Sequence, residues 1–109
     1  MREINLSELT GGGEVRNLSG HERGLAARAK FGMDNCDRAT ETVKIIVPSQ
    51  IYTVAPSFFQ GMFSNSVHHF GNRAAFFDHY SFDASPVVLR QVGRGVDALL
   101  TRRAEVEAA

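Results

Sequence analysis

Apolar positions along the chain repeat with two different periods. In REINLSEL, Ile4 and Leu6 fall on one side and Asn5 and Ser7 on the other, the period-two pattern of a half-buried strand. Thr10-Gly11-Gly12-Gly13 reads as the turn that ends it, and EVRNL as a short second strand forming a hairpin with the first. Ser19 followed by Glu22 has the spacing of a capping box and opens a helix. Its apolar positions are Leu25, Ala26, Ala29 and Phe31 or Met33, and it should stop near Gly32. MDNCDRATE reads as a polar linker.

The second half of the chain is more sharply patterned. TVKIIVP is β-branched and almost wholly apolar, which predicts a central strand covered on both faces and closed by Pro48. A short extended piece, QIYTV, follows. From Ser57 onward the period becomes helical, with Phe59, Met62, Phe63, Ser66, Val67 and Phe70 on one face. Ser57 and Gln60 form a second capping-box pattern, and Gly71 is the expected residue just past the helix end. RAAFFDHYSF reads as a strand. Ser85 and Pro86 then open a last helix carrying Val88, Val92, Val96 and Leu99, weakened by Gly93 and Gly95. Strand and helix alternate along the chain. That order predicts a single α/β domain over residues 1–109, with a mostly parallel or mixed four-stranded sheet and about three helices.

Composition narrows the function. Twelve basic and twelve acidic residues cancel, without the basic excess that phosphate neutralisation requires, so no nucleic-acid partner is expected. Arg90, Arg94, Arg102 and Arg103 are interleaved with Asp97, Glu105 and Glu107, as on a solvated helix face. No positively charged start leads into an apolar run, and no window reaches the roughly 20 apolar residues of a membrane span. Cys36 is the only cysteine, which excludes an internal disulfide and fits a reducing cytoplasm.

Candidate chemistry is sparse. His68 and His69 are adjacent, so on a helix they point about 100° apart and do not share a metal in the i, i+4 manner. With His21 and His79 beside Asp78 as the remaining candidates, no metal and no cofactor are expected. Gly11-Gly12-Gly13 lacks the Lys and Ser/Thr of a phosphate loop. Ser57 lacks the flanking glycines of a hydrolase elbow, and Cys36 lies between Asp34 and Asp37, which disfavour a thiolate. No catalytic residue is assigned, and an enzyme is not expected.

The 28 residues from Ile45 to Asn72 contain no Asp, Glu, Lys or Arg. A surface helix ordinarily carries charge on its outer face. Here the outer positions are Gln60, Ser64, Asn65 and His68, a composition suited to a contact surface with little desolvation cost. Pro56, Ser57, Phe58, Gln60, Gly61, Ser64 and Asn65 are therefore the expected interface.

VKIIVPSQIYTVAPSFFQGMF resembles the STAS-like domain family of uncharacterised bacterial proteins, relatives of the anti-sigma-factor antagonists. The resemblance covers Thr42 to about Leu100: a buried strand, a short connection, a Ser-Phe box at a helix start, an apolar helix, a strand and an ASP-type opening of a last helix. In the antagonists, a hydroxyl in this box is phosphorylated by a kinase of the histidine-kinase-like ATPase fold. The resemblance implies that Ser57 is that hydroxyl, with Ala55 at the family's Asp position and Phe58 where a small residue is usual. It also implies a non-enzymatic protein-interaction module whose partner is such a switch kinase or a sigma-regulating complex. A different class of function is suggested by the helix start itself: a small ligand or nucleotide whose anion sits on the free N–H groups near Ser57.

Overall fold

A computed structural model describes residues 1–10 and 15–108, with side chains described as far as Thr101. The glycine turn at Gly11–Gly13 and the charges of Arg102, Arg103, Glu105 and Glu107 lie outside the described residues and side chains. Parallel strands β1 (Arg2–Asn5), β3 (Val43–Ile46) and β5 (Tyr80–Asp83) form a three-stranded sheet with β3 in the centre. Strands β2 (Asn17–Leu18) and β4 (Thr53–Val54) form a second, two-stranded parallel sheet. Five helices accompany them: α1 (His21–Phe31), α2 (Met33–Arg38), α3 (Pro56–Phe70), α4 (Arg73–His79) and α5 (Pro86–Ala108). The α/β class and the parallel pairing match the sequence expectation. The expected four-stranded sheet with about three helices does not form.

Each departure has a local cause. The first strand ends at Asn5, whose side-chain oxygen accepts from Ser7 N and starts a 3-10 turn over Leu6–Leu9. The chain therefore does not return as a hairpin, and β2 pairs with β4 instead. Pro48 and the turn that closes on its carbonyl, with Ile51 N donating at 3.0 Å, divert the chain out of the main sheet after β3. Residues 73–79 are helical because Asn72 caps them, its side chain accepting from Ala75 N at 2.9 Å, so only Tyr80–Asp83 remains a strand. The expected polar linker is α2, which starts from Gly32 at φ 63° and buries Met33, Cys36 and Asp37. Ser85 opens α5 as the sequence indicates: its hydroxyl accepts from Val88 N and its carbonyl from Leu89 N.

The main sheet is covered on one face. Its rows alternate, with Ile4, Ile45 and Phe82 facing the helices and Glu3, Lys44 and Ser81 facing away, exposed or half-buried. The expectation of a central strand covered on both faces fails at Lys44 and Ile46, which are only half-buried. Val43, Ile45 and Val47 are buried. Phe63 of α3 lies over β5, with ring centroids 5.8 Å from Tyr80 and 5.5 Å from Phe82, and also touches Phe59 and Phe76.

Helix α3 is flanked by α1 and α5, and glycines set both distances. A Cβ on Gly61 would lie 2.2 Å from His21 O, and one on Gly24 2.2 Å from Phe58 O, so α1 and α3 touch backbone to backbone. On the other side, a Cβ on Gly95 of α5 would lie 2.5 Å from the Phe59 ring. The inward face of α1 is thus Gly24, Ala27, Arg28 and Phe31. Of the stripe read from the sequence, Leu25, Ala26 and Ala29 are exposed, while Phe31 and Met33 are buried. Gly61→Ala should destabilise the fold by about 3 kcal/mol, because the obstacle is backbone and cannot swing aside. Gly93→Ala would meet only the flexible end of Arg73 at 3.3 Å and should stabilise by about 0.5–1 kcal/mol through helix propensity. Urea unfolding of the two variants against wild type reads this contrast. Similar losses in both would mean that the α1–α3 crossing is not the tight one.

Candidate functional site

The start of α3 is built by the small sheet. Tyr52 N donates to Arg16 O and Ala55 N to Leu18 O, each at 2.7 Å, so β2 and β4 deliver α1 and α3 side by side with their N-termini adjacent. Neither start is closed in the manner of a capping box. Ala55, in extended conformation, is the N-cap of α3, with Pro56 first in the helix and no side-chain capping bond. Gly20, at φ 95°, is the N-cap of α1, again without a side-chain cap. The Ser19–Glu22 and Ser57–Gln60 boxes expected from sequence do not form. Ser57 instead accepts a hydrogen bond from Gly20 N at 3.1 Å, which ties one helix start to the other.

The expected interface residues divide by direction. Pro56 and Asn65 are exposed, and Ser57, Gln60 and Ser64 are half-buried, so these five form an outward strip. Phe58 is 2% exposed and Gly61 lies against α1, so neither reaches a partner. Beside the strip, a groove of about 310 Å³ runs between α3 and α5. Val54, Pro56 and Gln60 form one wall, and Arg94, Gly95 and Ala98 the other. No carboxylate lines it, and Arg94 has no ion-pair partner among the described residues. Gln91 closes its inner end by accepting from Val54 N at 2.8 Å.

A second polar cluster, not anticipated from sequence, lies under the middle of α3. Arg28 reaches from α1 to donate to Met62 O at 3.0 Å, to Ser66 Oγ at 2.9 Å and to Asp37 Oδ2 at 2.7 Å. The other Asp37 oxygen accepts from Ser66 at 2.6 Å and from Tyr80 at 2.5 Å. Asp34, largely exposed, adds a second carboxylate to the guanidinium at 2.6 Å. Burial alone would lower the Arg28 pKa, but the hydrogen bonds that Arg28 donates to Asp37 and Asp34, with their negative charges, outweigh it and raise it. Burial pushes the Tyr80 phenol well above its ordinary value, and Asp37 reinforces this. Asp37 thus accepts from Arg28, Ser66 and Tyr80 together and is the inner counter-ion of the Arg28 guanidinium. The sequence signal was available only as an Arg on an otherwise small-residue helix face and a Ser in an apolar stripe.

The remaining candidate groups are spoken for or dispersed. Burial pushes the Cys36 thiol up; Arg2, with a guanidinium nitrogen 2.9 Å from its sulfur, opposes this and Asp37 adds to it. His79 is buried, with Nε2 2.6 Å from Cys36 O; a carbonyl only accepts, so Nε2 carries the proton. His69 and Asp78 are exposed, and His68 is half-buried. Among the described residues no group of three or more His, Cys, Asp or Glu could hold a metal ion, and no helix is long and apolar enough to cross a membrane. Comparisons with protein-family models, curated proteins and solved structures give no match.

Two measurements test the buried cluster. Asp37→Ala leaves the Arg28 charge short of its inner counter-ion and should cost about 3–5 kcal/mol, whereas Asp34→Ala, on the exposed side, should cost about 1 kcal/mol or less. Denaturant unfolding that ranks Asp34 above Asp37 would contradict the arrangement. Tyr80 also predicts a pH dependence. Its folded pKa is raised, so its contribution is complete below the ordinary tyrosine value of about 10 and is lost as pH rises above it, where the unfolded chain ionises first. Tyr80→Phe should flatten the alkaline loss of stability.

Proposed function

We propose that the chain is a STAS-like, non-enzymatic interaction module, resembling an anti-sigma-factor antagonist, that docks a protein partner at the start of α3 and is switched by phosphorylation of Ser57. One observation carries the reading: a half-buried hydroxyl on the first turn of α3, bonded to Gly20 N, beside an apolar groove without carboxylates. Phosphate there adds about −1.5 to −2 charges at pH 7. Two adjacent helix starts without side-chain caps offer free N–H groups and positive dipole ends to receive it. The same charge opposes docking of an apolar partner surface onto Pro56, Gln60 and the groove. The expected partner is a kinase of the histidine-kinase-like ATPase class or a sigma-regulating complex, carrying an apolar contact face and an acidic group opposite Arg94.

Ser57→Ala and Ser57→Asp separate a switch from a structural tie. Ala leaves Gly20 N without its acceptor and should lose about 1 kcal/mol of stability. Asp retains an acceptor and suits the helix dipole, so it should lose less. Binding should rank the other way. Ala keeps the partner, and Asp weakens it by about tenfold or more (about 1.4 kcal/mol), since a carboxylate beside the groove is desolvated by the docked surface and repels the acidic group that the partner sets opposite Arg94. The assay combines titration of the purified partner with mass-spectrometric mapping of phosphate after incubation with ATP and the kinase. Equal partner affinity for both variants, with no phosphate on Ser57, reduces Ser57 to a bond between α1 and α3. A thermal shift with free nucleotide that Ser57→Asp abolishes would favour an anion-binding domain instead.

A further inference from the structure

A separate recess of about 400 Å³ opens on the far side of α1 from α2, between β2, α1 and the turn that follows β1. Its floor is part of the core: Leu18, Ala27 and Phe58 line it and are 5%, 1% and 2% exposed. Leu9 of the 3-10 turn forms an apolar side wall, and Ala26, small and outward-facing, leaves the mouth open. Two cations border it. Arg23 and Lys30 are both exposed and both line the recess, two turns apart on α1, roughly 10 Å along the helix axis. Among the described residues neither has an ion-pair partner. An apolar hole reaching the core and bordered by two cations that have no ion-pair partner among the described residues is complementary to one kind of molecule, with an apolar body and one anionic end. Its volume falls in the range of roughly 300–1,000 Å³ typical of small-molecule sites.

We infer that this recess binds a free amphipathic acid, with its hydrocarbon body on Leu18, Ala27 and Phe58 and its carboxylate between Arg23 and Lys30. The inference is independent of the Ser57 reading, because the groove proposed for the partner lies on the α5 side of α3 and shares no residue with the recess. The body should be a flexible chain or a single ring, since the apolar wall is interrupted by Ser19 and Asn17 on the β2 side. Burial of each additional methylene is worth about fourfold in affinity, so chain length is a direct reporter of the floor, and the head group is a reporter of the rim.

The test uses octanoate, decanoate and decan-1-ol with the full chain, read by calorimetry and by backbone amide shifts. Decanoate should bind about fifteenfold tighter than octanoate, and decan-1-ol about tenfold weaker than decanoate, with shifts concentrated between Arg23 and Lys30 and at Leu18. The double variant Arg23→Gln, Lys30→Gln should bring decanoate down to the level of decan-1-ol and leave decan-1-ol unchanged. Ala26→Phe should block both ligands while circular dichroism and thermal unfolding remain those of wild type. The inference is overturned if decanoate shows no saturable binding up to about 1 mM, if its shifts lie elsewhere, or if the acid and the alcohol bind equally. It is also overturned if Ala26→Phe folds normally and still binds, or if sedimentation shows that the chain takes up decanoate only as part of an anionic vesicle.

Discussion

The backbone contact between Gly24 and Gly61 is the constraint on which the rest of the molecule depends. With no Cβ on either residue, α1 and α3 approach until the carbonyls of His21 and Phe58 occupy the space that side chains would fill. Two consequences follow along the shared direction of the helices. Toward their starts, Gly20 N comes within 3.1 Å of the Ser57 hydroxyl. One turn further on, Arg28 comes within reach of Met62 O, Ser66 and Asp37. Move the helices apart by the width of a methyl group and both arrangements are lost, one at the proposed docking surface and one in the core.

This contact also explains the uncharged run of the sequence. Helix α3 is pressed between α1 and α5 and lies over β5, so seven of its residues, from Phe58 to Val67, are buried. Charge is absent from these seven positions because there is no solvent to hold it. The single charge beneath it, the Arg28 guanidinium, comes from α1 and arrives with its counter-ion from α2. A buried ion pair of this kind adds little net stability over an apolar pair, but it is costly to break from one side, which fixes the register of three helices and β5 relative to one another. The strip of Pro56, Ser57, Gln60, Ser64 and Asn65 is uncharged while facing out, and that strip is where the interaction reading rests.

Stability and exposure are therefore divided along α3. Its inner faces carry the aromatic contacts of Phe59 and Phe63 and the hydrogen bonds of Ser66, while its start carries a single hydroxyl bond and an open groove. The modification proposed at Ser57 would act where one hydrogen bond is at stake, whereas the Arg28–Asp37 ion pair lies buried further along the helix.

Local chemistry determined much from the sequence alone. The strand at Val43–Ile46, the helix to Phe70 with Gly71 at positive φ behind it, and the Ser85–Pro86 start of the last helix all rest on interactions within a few residues, which a local pattern records. The same holds for α4, whose Asn72 cap was legible but was outweighed by the β-like run FFDHYSF. What no local pattern carried was the partner of each element. Ser57 reads as a cap for its own helix, yet its oxygen accepts from a residue 37 positions earlier, because the pairing of β2 with β4 places Gly20 beside it. Asp37 reads as a solvated linker residue, and Ser66 as a gap in an apolar stripe, until the glycine contact sets Arg28 between them. The sequence specified the central strand, the helix to Phe70 and the start of the last helix. The distance between α1 and α3, set by two missing side chains far apart in the chain, decided which polar groups met and which surface was left exposed.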